Sequence, residues 1–180
     1  MQILRTDALP SFTEPTVVTV GSFDGVHRGH QALLKQLNEV AQAEGLKRVV
    51  VSFDPHPRIA LGRSEGLKLL TSDEEKATRL AAAGVDYLVI LPFNEQTAQQ
   101  RGESFAQEFL KGVLQARVLI AGYNHRFGCD RINPMQLSIE GLRVVQVPPV
   151  IYNGEKVSST RIRNLLAAGK TEEATELMGL

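Results

Sequence analysis

Short β-branched runs alternate along the chain with stretches whose apolar residues recur at helical spacing. Val17-Val18-Thr19-Val20, bounded by Pro15 and Gly21, predicts a buried strand. From His30 to Glu44, Leu33, Leu34, Leu37, Val40 and Ala41 fall on one helical face, and Gly45 stops the pattern. Val49 to Phe53 predicts a second strand, closed by Asp54-Pro55-His56-Pro57. Ser72-Asp73-Glu74-Glu75 fits a capping box that opens a helix running to about Ala83. Tyr87 to Leu91 predicts a third strand, Ser104 to Leu114 a helix, Val118 to Ala121 a fourth strand and Arg143 to Val147 a fifth.

Strands alternating with helices imply an α/β fold, here a Rossmann-like, doubly wound, five-stranded parallel sheet. After Val147 the pattern changes. Pro148-Pro149 and the turn Asn153-Gly154 lead to two helices, about Ser159 to Ala168 and Thr171 to Met178, which form a C-terminal helical extension. Gly62 to Gly66 and Phe127 to Pro134 read as flexible loops. The chain shows no internal repeat and no low-complexity segment.

Composition narrows the partners. A chain of 180 residues buries roughly 70% of the surface it exposes when unfolded, so it needs no disulfide or metal staple. Twenty basic and twenty acidic side chains cancel, which argues against a broad nucleic-acid or membrane-surface binder. An anion bound here is held by a dedicated site. The single Cys129 forms no internal disulfide and suits a reducing compartment. The N-terminus carries Asp7 where a signal peptide needs an apolar run, and no stretch approaches the ~20 apolar residues of a membrane span. A cytoplasmic location is expected.

The chemistry gathers where the first predicted strand ends. Gly21-Ser22-Phe23-Asp24-Gly25-Val26-His27-Arg28-Gly29-His30 runs straight into a helix. In open α/β sheets, ligands bind beyond the carboxyl ends of strands. A helix entry supplies unpaired N–H groups and a positive dipole end, and Gly29 lets a phosphate approach the main chain closely. Two imidazoles three residues apart can both face that anion. The dinucleotide and P-loop glycine spacings are absent. Zinc ligation is the alternative for the histidine pair, but Asp24 is the sole further ligand nearby.

The run Gly21 to His30 resembles the signature of the His-x-Gly-His nucleotidyltransferases, and its extended form is similar to the bacterial FAD synthetases, which are FMN adenylyltransferases. Further segments match in order: Phe53 to Pro57, Leu70-Thr71 with Glu75-Lys76, Asp86-Tyr87, Gly122 to Gly128, and Val157-Ser158-Ser159-Thr160-Arg161-Ile162-Arg163. The resemblance implies in-line attack of the flavin phosphate on the α-phosphorus of ATP, with pyrophosphate leaving and no covalent enzyme intermediate. It makes His27 and His30 catalytic. It places ATP against Gly21, Ser22, Phe23, Gly29, Ser158, Ser159, Thr160, and Arg161 or Arg163. It places FMN against Asp24, Asp54, His56, Asn124 and Phe127. Mg²⁺ is expected to arrive with ATP, since no carboxylate cluster cages it and no protein metal ligand is expected.

Blander roles stand beside these. Ser159-Thr160 could be an ordinary helix cap, and Asp54 to Pro57 a plain loop. Phe53, Phe105 and Phe109 read as core, whereas Phe127 lies in a glycine-flanked loop and is the better stacking candidate. Arg126 and Arg131 read as solvated, and Cys129 as incidental. Two departures from the family pattern stand out. His125 occupies a position usually held by Phe, and Cys129 to Gly141 is too short for the usual helix, leaving one turn from Met135 to Ile139.

Bacterial FAD synthetases commonly carry a riboflavin kinase barrel after the adenylyltransferase. This chain stops at Leu180, about where the linker to that barrel would begin. The expectation is one adenylyltransferase domain over residues 1–180, with 153–180 its C-terminal helical subregion. A riboflavin kinase domain or protein is then the partner missing from the chain. Two alternatives remain: transfer to another acceptor, such as phosphopantetheine or nicotinamide mononucleotide, and a non-catalytic nucleotide- or flavin-binding module.

Overall fold

A computed structural model describes residues 1–5, 9, 11–62 and 67–180. Residues 63–66 of the expected Gly62 to Gly66 loop lie outside the described residues. Six parallel strands form the sheet: β1 Gln2–Arg5, β2 Thr16–Val20, β3 Lys47–Asp54, β4 Tyr87–Pro92, β5 Ala116–Gly122 and β6 Arg143–Val147, in the order β1-β4-β3-β2-β5-β6. The α/β class and parallel winding are as expected, and the strand count is corrected from five to six. The added β1 pairs with β4 at the sheet edge and leaves Ile3 46% exposed, so its short Gln2-Ile3-Leu4-Arg5 run lacks the apolar continuity of a central strand.

The interior strands show that continuity. Every residue of β2 is buried, with Val17 on one face of the sheet and Val18 and Val20 on the other. On the first face, Val17, Val50, Leu88 and Ile120 pack against α1 (Arg28–Glu44) through Leu34 and Leu37, and against α3 (Asp73–Ala82) through Leu80. The second face carries Val18, Val49, Val51, Val89 and Leu119. Its cover is a π-helix, Phe105–Val113, entered through the short α5 (Gly102–Ser104) after α4 (Glu95–Gln99). An ordinary helix over Ser104 to Leu114 is therefore corrected. Phe105, Leu110 and Leu114 recur every four to five residues, which an i→i+5 ladder such as Leu114 N to Phe109 O at 2.9 Å brings onto one face.

α3 starts as the sequence predicts. Glu75 N donates to Ser72 Oγ at 3.1 Å, and Ser72 N donates to Glu75 Oε2 at 2.8 Å, closing the capping box. The short α2 (Pro57–Ala60) follows the Asp54 to Pro57 segment. Phe127 to Pro134 is not without order: Phe127 and Ile132 form an antiparallel bridge, and one tight turn over Pro134–Gln136 follows.

Beyond β6, β7 (Ile151–Tyr152) and β8 (Glu155–Lys156) form a hairpin. Asn153 and Gly154 both have positive φ, 51° and 77°, as a two-residue hairpin turn that matches strand twist requires. α6 (Ser159–Ala167) and α7 (Thr171–Met178) then close a separate apolar cluster of Val157, Ile162, Ala174, Leu177 and Met178. Gln31 Nε2 donates to Met178 O at 3.0 Å, fastening this extension to the start of α1.

The chain fills β3 and β4 on one side of β2, then crosses to β5 and β6 on the other. The winding therefore reverses between β2 and β5. That reversal is where a doubly wound sheet opens a ligand crevice, beyond the strand ends.

Candidate active site

The turn leaving β2 is forced into an uncommon shape. Phe23 and Val26 adopt left-handed backbone with φ of 51° and 41°, alongside Gly25 at 87°. For a β-branched residue such as Val26 this is strained, and it persists because the surroundings over-determine it. Phe23 and Val26 are buried at 1% and 3% exposure. Gly25 N donates to Thr71 Oγ1 at 3.1 Å, and Arg79 Nη1 donates to Gly25 O at 2.9 Å.

Asp24 is the knot of the turn. Its Oδ1 accepts from Leu70 N at 2.8 Å and Thr71 N at 3.3 Å, its Oδ2 is ion-paired with Arg163, and its carbonyl accepts from Ser159 Oγ at 3.0 Å. The carboxylate is thus spent on protein groups. Among the described residues no cluster of three or more His, Cys, Asp or Glu side chains is placed to hold a metal ion.

His27 is the N-cap of α1, which begins at Arg28, two residues before the expected start. His30 N donates to His27 Nδ1 at 3.3 Å. That bond leaves the neutral imidazole proton on Nε2, the ring atom free to donate. The two rings stack at 3.8 Å between centroids and 13° between planes. His30 Nδ1 is buried without a partner, and the residue lines the cavity over the turn, which leaves Nε2 as the nitrogen to donate. A Cβ on Gly29 would lie 3.1 Å from the His27 ring, so glycine is what lets the cap and the stacked pair coexist.

Burial, with a smaller push from Arg163, lowers the His27 pKa to about 4, against the raising influences of its own backbone and of Asp24. Burial and the neighbouring His27 hold His30 well below its ordinary value. Burial and Arg126 lower His125 to about 4. Both rings of the stacked pair are neutral near pH 7.

These values set an acid limit on stability. Values below the unfolded 6.5 mean that unfolding takes up protons as pH falls from about 6.5 to 4. The stabilisation is full above that window and lost on descending through it, at roughly 1.4 kcal/mol per pH unit for each such histidine. Urea midpoints should therefore fall steeply from pH 7 to 5, and His125→Phe should make the fall shallower. Equal slopes for the two proteins would refute this.

Two cavities meet over the turn. The first, about 340 Å³, is lined by Gly21, Ser22, Phe23, Asp24, His27, Gly29, His30, His56, Asn124, Ser158, Ser159, Thr160 and Arg163 among others. The structure thus brings together most of the residues singled out in the sequence. The second, about 790 Å³, is walled by Phe53, Phe93, Phe105 and Phe127 with a rim of Arg58, Arg126 and Arg131. Phe127 lies in this second cavity, its ring edge-on to Phe105 at 5.8 Å. Phe53 and Phe105, read as core, also reach it. Gly21, Ser22, His56, Arg58, Asn124 and His125 line both cavities.

Two expected site residues lie elsewhere. Asp54 is paired with Arg5 at 3.2 Å and faces a smaller recess with Asp73 and Lys76. Arg161 donates to Tyr152 O at 2.9 Å and pairs with Glu155 and Glu173 at 3.1 and 2.9 Å, binding the β7–β8 hairpin to α7 and lining neither cavity. Of the helix-capping hydroxyls, Ser158 Oγ accepts from Arg161 N at 3.2 Å and Ser159 Oγ is given to Asp24 O. Thr160 lines the first cavity at the start of α6, where the N–H groups of Ser159 and Thr160 carry no bond within the protein among the described residues. Arg58 and Tyr123 were missed by sequence reasoning. Arg58 directly follows the Asp54 to Pro57 segment, which was the available signal.

A parallel sheet with its crevice at the β2–β5 reversal, and a His-x-Gly-His turn at its mouth, define the His-x-Gly-His nucleotidyltransferase class. The FAD synthetase family profile matches residues 9–161, and the chain belongs to that family. It is 38% identical over 165 residues to a putative bifunctional riboflavin kinase/FMN adenylyltransferase of Geobacillus thermodenitrificans, covering 91% of this chain and 89% of that one. It is 33% identical to the bifunctional riboflavin kinase/FMN adenylyltransferase of Listeria monocytogenes, across 91% of this chain but 53% of the relative. The Escherichia coli K12 protein of the same description is 32% identical over 92% of this chain and 55% of its own length.

The chain thus spans about half the length of several curated relatives. A solved structure described as a macrolide-efflux protein from Streptococcus pneumoniae superimposes with TM-score 0.89 at 30% identity, over 99% of this chain and 62% of that one. Pantoate-beta-alanine ligase from Francisella tularensis, at TM-score 0.54 and 14% identity over 99% of this chain and 85% of that one, shares the fold. Among the described residues no helix is long and apolar enough to cross a membrane.

Proposed function

We propose that this chain transfers the adenylyl group of ATP to FMN, releasing FAD and pyrophosphate. The observation that carries the reading is the pair of cavities meeting over the Gly21 to His30 turn. One is lined by histidines and a helix N-terminus, and the other is walled by four phenylalanines. Triphosphate chemistry suits the first and a flat aromatic ring suits the second.

ATP occupies the first cavity, its phosphates against the Gly29 backbone, Thr160 and the first N–H groups of α6. The isoalloxazine lies among Phe53, Phe93, Phe105 and Phe127, and the ribityl chain carries the phosphate to the shared wall. A phosphate oxygen of FMN attacks the α-phosphorus in line, forming a new P–O bond. The bond to the β-phosphate bridging oxygen breaks, and pyrophosphate leaves with that electron pair. No covalent enzyme intermediate forms. His27 and His30 donate through Nε2 to phosphate oxygens whose negative charge grows in the transition state. Asn124 and His56 hold the incoming phosphate from either side of the turn. Arg163 acts on the turn through Asp24 rather than as a free phosphate ligand.

Mg²⁺ would be held by ATP oxygens, since Asp24 is already occupied and no protein cage exists among the described residues. When bound it supplies charge neutralisation of the phosphates. ATP as donor and an exposed free Cys129 fit the cytoplasm as the working compartment. A riboflavin kinase, as a domain or a separate protein, is the activity that would supply FMN.

The test is incubation with ATP, Mg²⁺ and FMN, following FAD and pyrophosphate, with phosphopantetheine and nicotinamide mononucleotide as rival acceptors. FAD formation supports the reading. Turnover of a rival without FAD, or FMN binding without any turnover, overturns it.

A further inference from the structure

The strand order puts the ends of β3 and β5 on either side of the β2 turn. His56 and Arg58 therefore approach Gly21 and Ser22 from one flank, and Asn124 and His125 from the other. These six residues line both cavities. With an aromatic acceptor in the second cavity and triphosphate in the first, this shared wall is where the acceptor phosphate crosses.

Of the two residues after β5 that line both cavities, Asn124 and His125, His125 carries the ring. Its backbone is pinned, His125 N donating to Gly122 O at 3.0 Å, and its ring lies 5.4 Å from Phe127. Its Nε2 is buried with no hydrogen-bond partner, and the residue lines both cavities. A proton on Nε2 would strand a donor in the interior. A proton on Nδ1 leaves only an unfilled lone pair there and presents the donor from the opposite edge of the ring. A phenylalanine at this place would fill the same volume with nothing to offer an anion.

We propose that His125 selects for a phosphorylated acceptor, donating from Nδ1 to the FMN phosphate as it crosses between the cavities. The assignment rests on the adenylyl-transfer reading and adds to it a contact that riboflavin cannot make. Burial and the Arg126 charge, which keep the ring neutral, leave it a donor at Nδ1 without the cost of a buried cation.

The experiment compares wild type, His125→Phe and His125→Asn by flavin fluorescence, titrating FMN and riboflavin separately with a non-hydrolysable ATP analogue present. FAD formation is measured in parallel. The Asn side chain places an amide N–H close to the Nδ1 position. His125→Phe should weaken FMN about tenfold, as loss of one charge-assisted hydrogen bond does, and leave riboflavin affinity unchanged. His125→Asn should recover FMN affinity to within about threefold of wild type. An FMN affinity in His125→Phe equal to wild type, or equal losses for FMN and riboflavin, overturns the assignment. Wild type that makes no FAD and binds no FMN sinks the parent reading and this one with it. Normal FAD formation alongside unchanged FMN binding in His125→Phe sinks the His125 contact alone.

Discussion

Replacing His30 with alanine is expected to lower kcat for FAD formation by about 100-fold or more while ATP still binds. That is the scale for removing one donor aimed at developing phosphate charge. His30 qualifies because its Nδ1 is buried without a partner, which leaves Nε2 as its outlet into the cavity. Its ring is held between Phe23 at 4.9 Å and His27 at 3.8 Å, so the donor is positioned before substrate arrives. Pre-set geometry of this kind costs no reorganisation at the moment of reaction.

His27→Ala provides the contrast. It removes a donor and also the cap that accepts His30 N, so it should cost about 1 kcal/mol of stability in addition to activity. His30→Ala keeps that backbone bond and introduces a good helix former. Because the rings share one stack, the double variant should lose little more than the worse single variant. Steady-state kinetics with ATP titration and thermal melts read all three. A His30→Ala enzyme within threefold of wild-type kcat would remove the role assigned to this ring.

The interior of the sheet was legible because β2, β3, β4 and β5 are buried on both faces, which writes near-continuous apolar runs into the sequence. Edge strand β1 has no such run, since Ile3 stays exposed and Leu4 alone turns inward. The π-helix was hidden because apolar residues four to five apart satisfy an ordinary helix almost as well. The His-x-Gly-His turn that opens α1 could be located from residue types and spacing.

What those residues are bonded to could not be read in this way. Arg161 and Arg163 sit two apart on α6, about 200° around the helix, so one cavity cannot receive both. Sequence leaves open which of them it is, and the fold turns Arg163 toward Asp24 and Arg161 toward Glu173. Likewise, nothing local in the sequence says that Leu70 and Thr71, 46 and 47 residues away, come back to occupy the Asp24 carboxylate. The two-cavity partition depends on which strand ends flank β2, a property of strand order rather than of any motif.

Arg163→Met is expected to destabilise the protein by about 3–5 kcal/mol, because it strands a buried carboxylate. The Asp24 side chain is 5% exposed and that of Arg163 is 15%, so solvent cannot replace the lost partner. The two backbone N–H bonds from Leu70 and Thr71 remain, but they carry no full positive charge. Adding Asp24→Asn removes the stranded charge and should return part of the loss, giving a coupling energy of about 1–3 kcal/mol. The double variant should still bind ATP more weakly than wild type. The guanidinium draws α6 onto the turn, and Ser159 Oγ to Asp24 O at 3.0 Å is a further hydrogen bond between them. Urea unfolding at pH 7 measures the stabilities, and ATP titration measures the second effect. A single variant as stable as wild type would mean the pair is relaxed in solution. The strained Phe23 to Val26 backbone would then need another restraint than the one this ion pair provides.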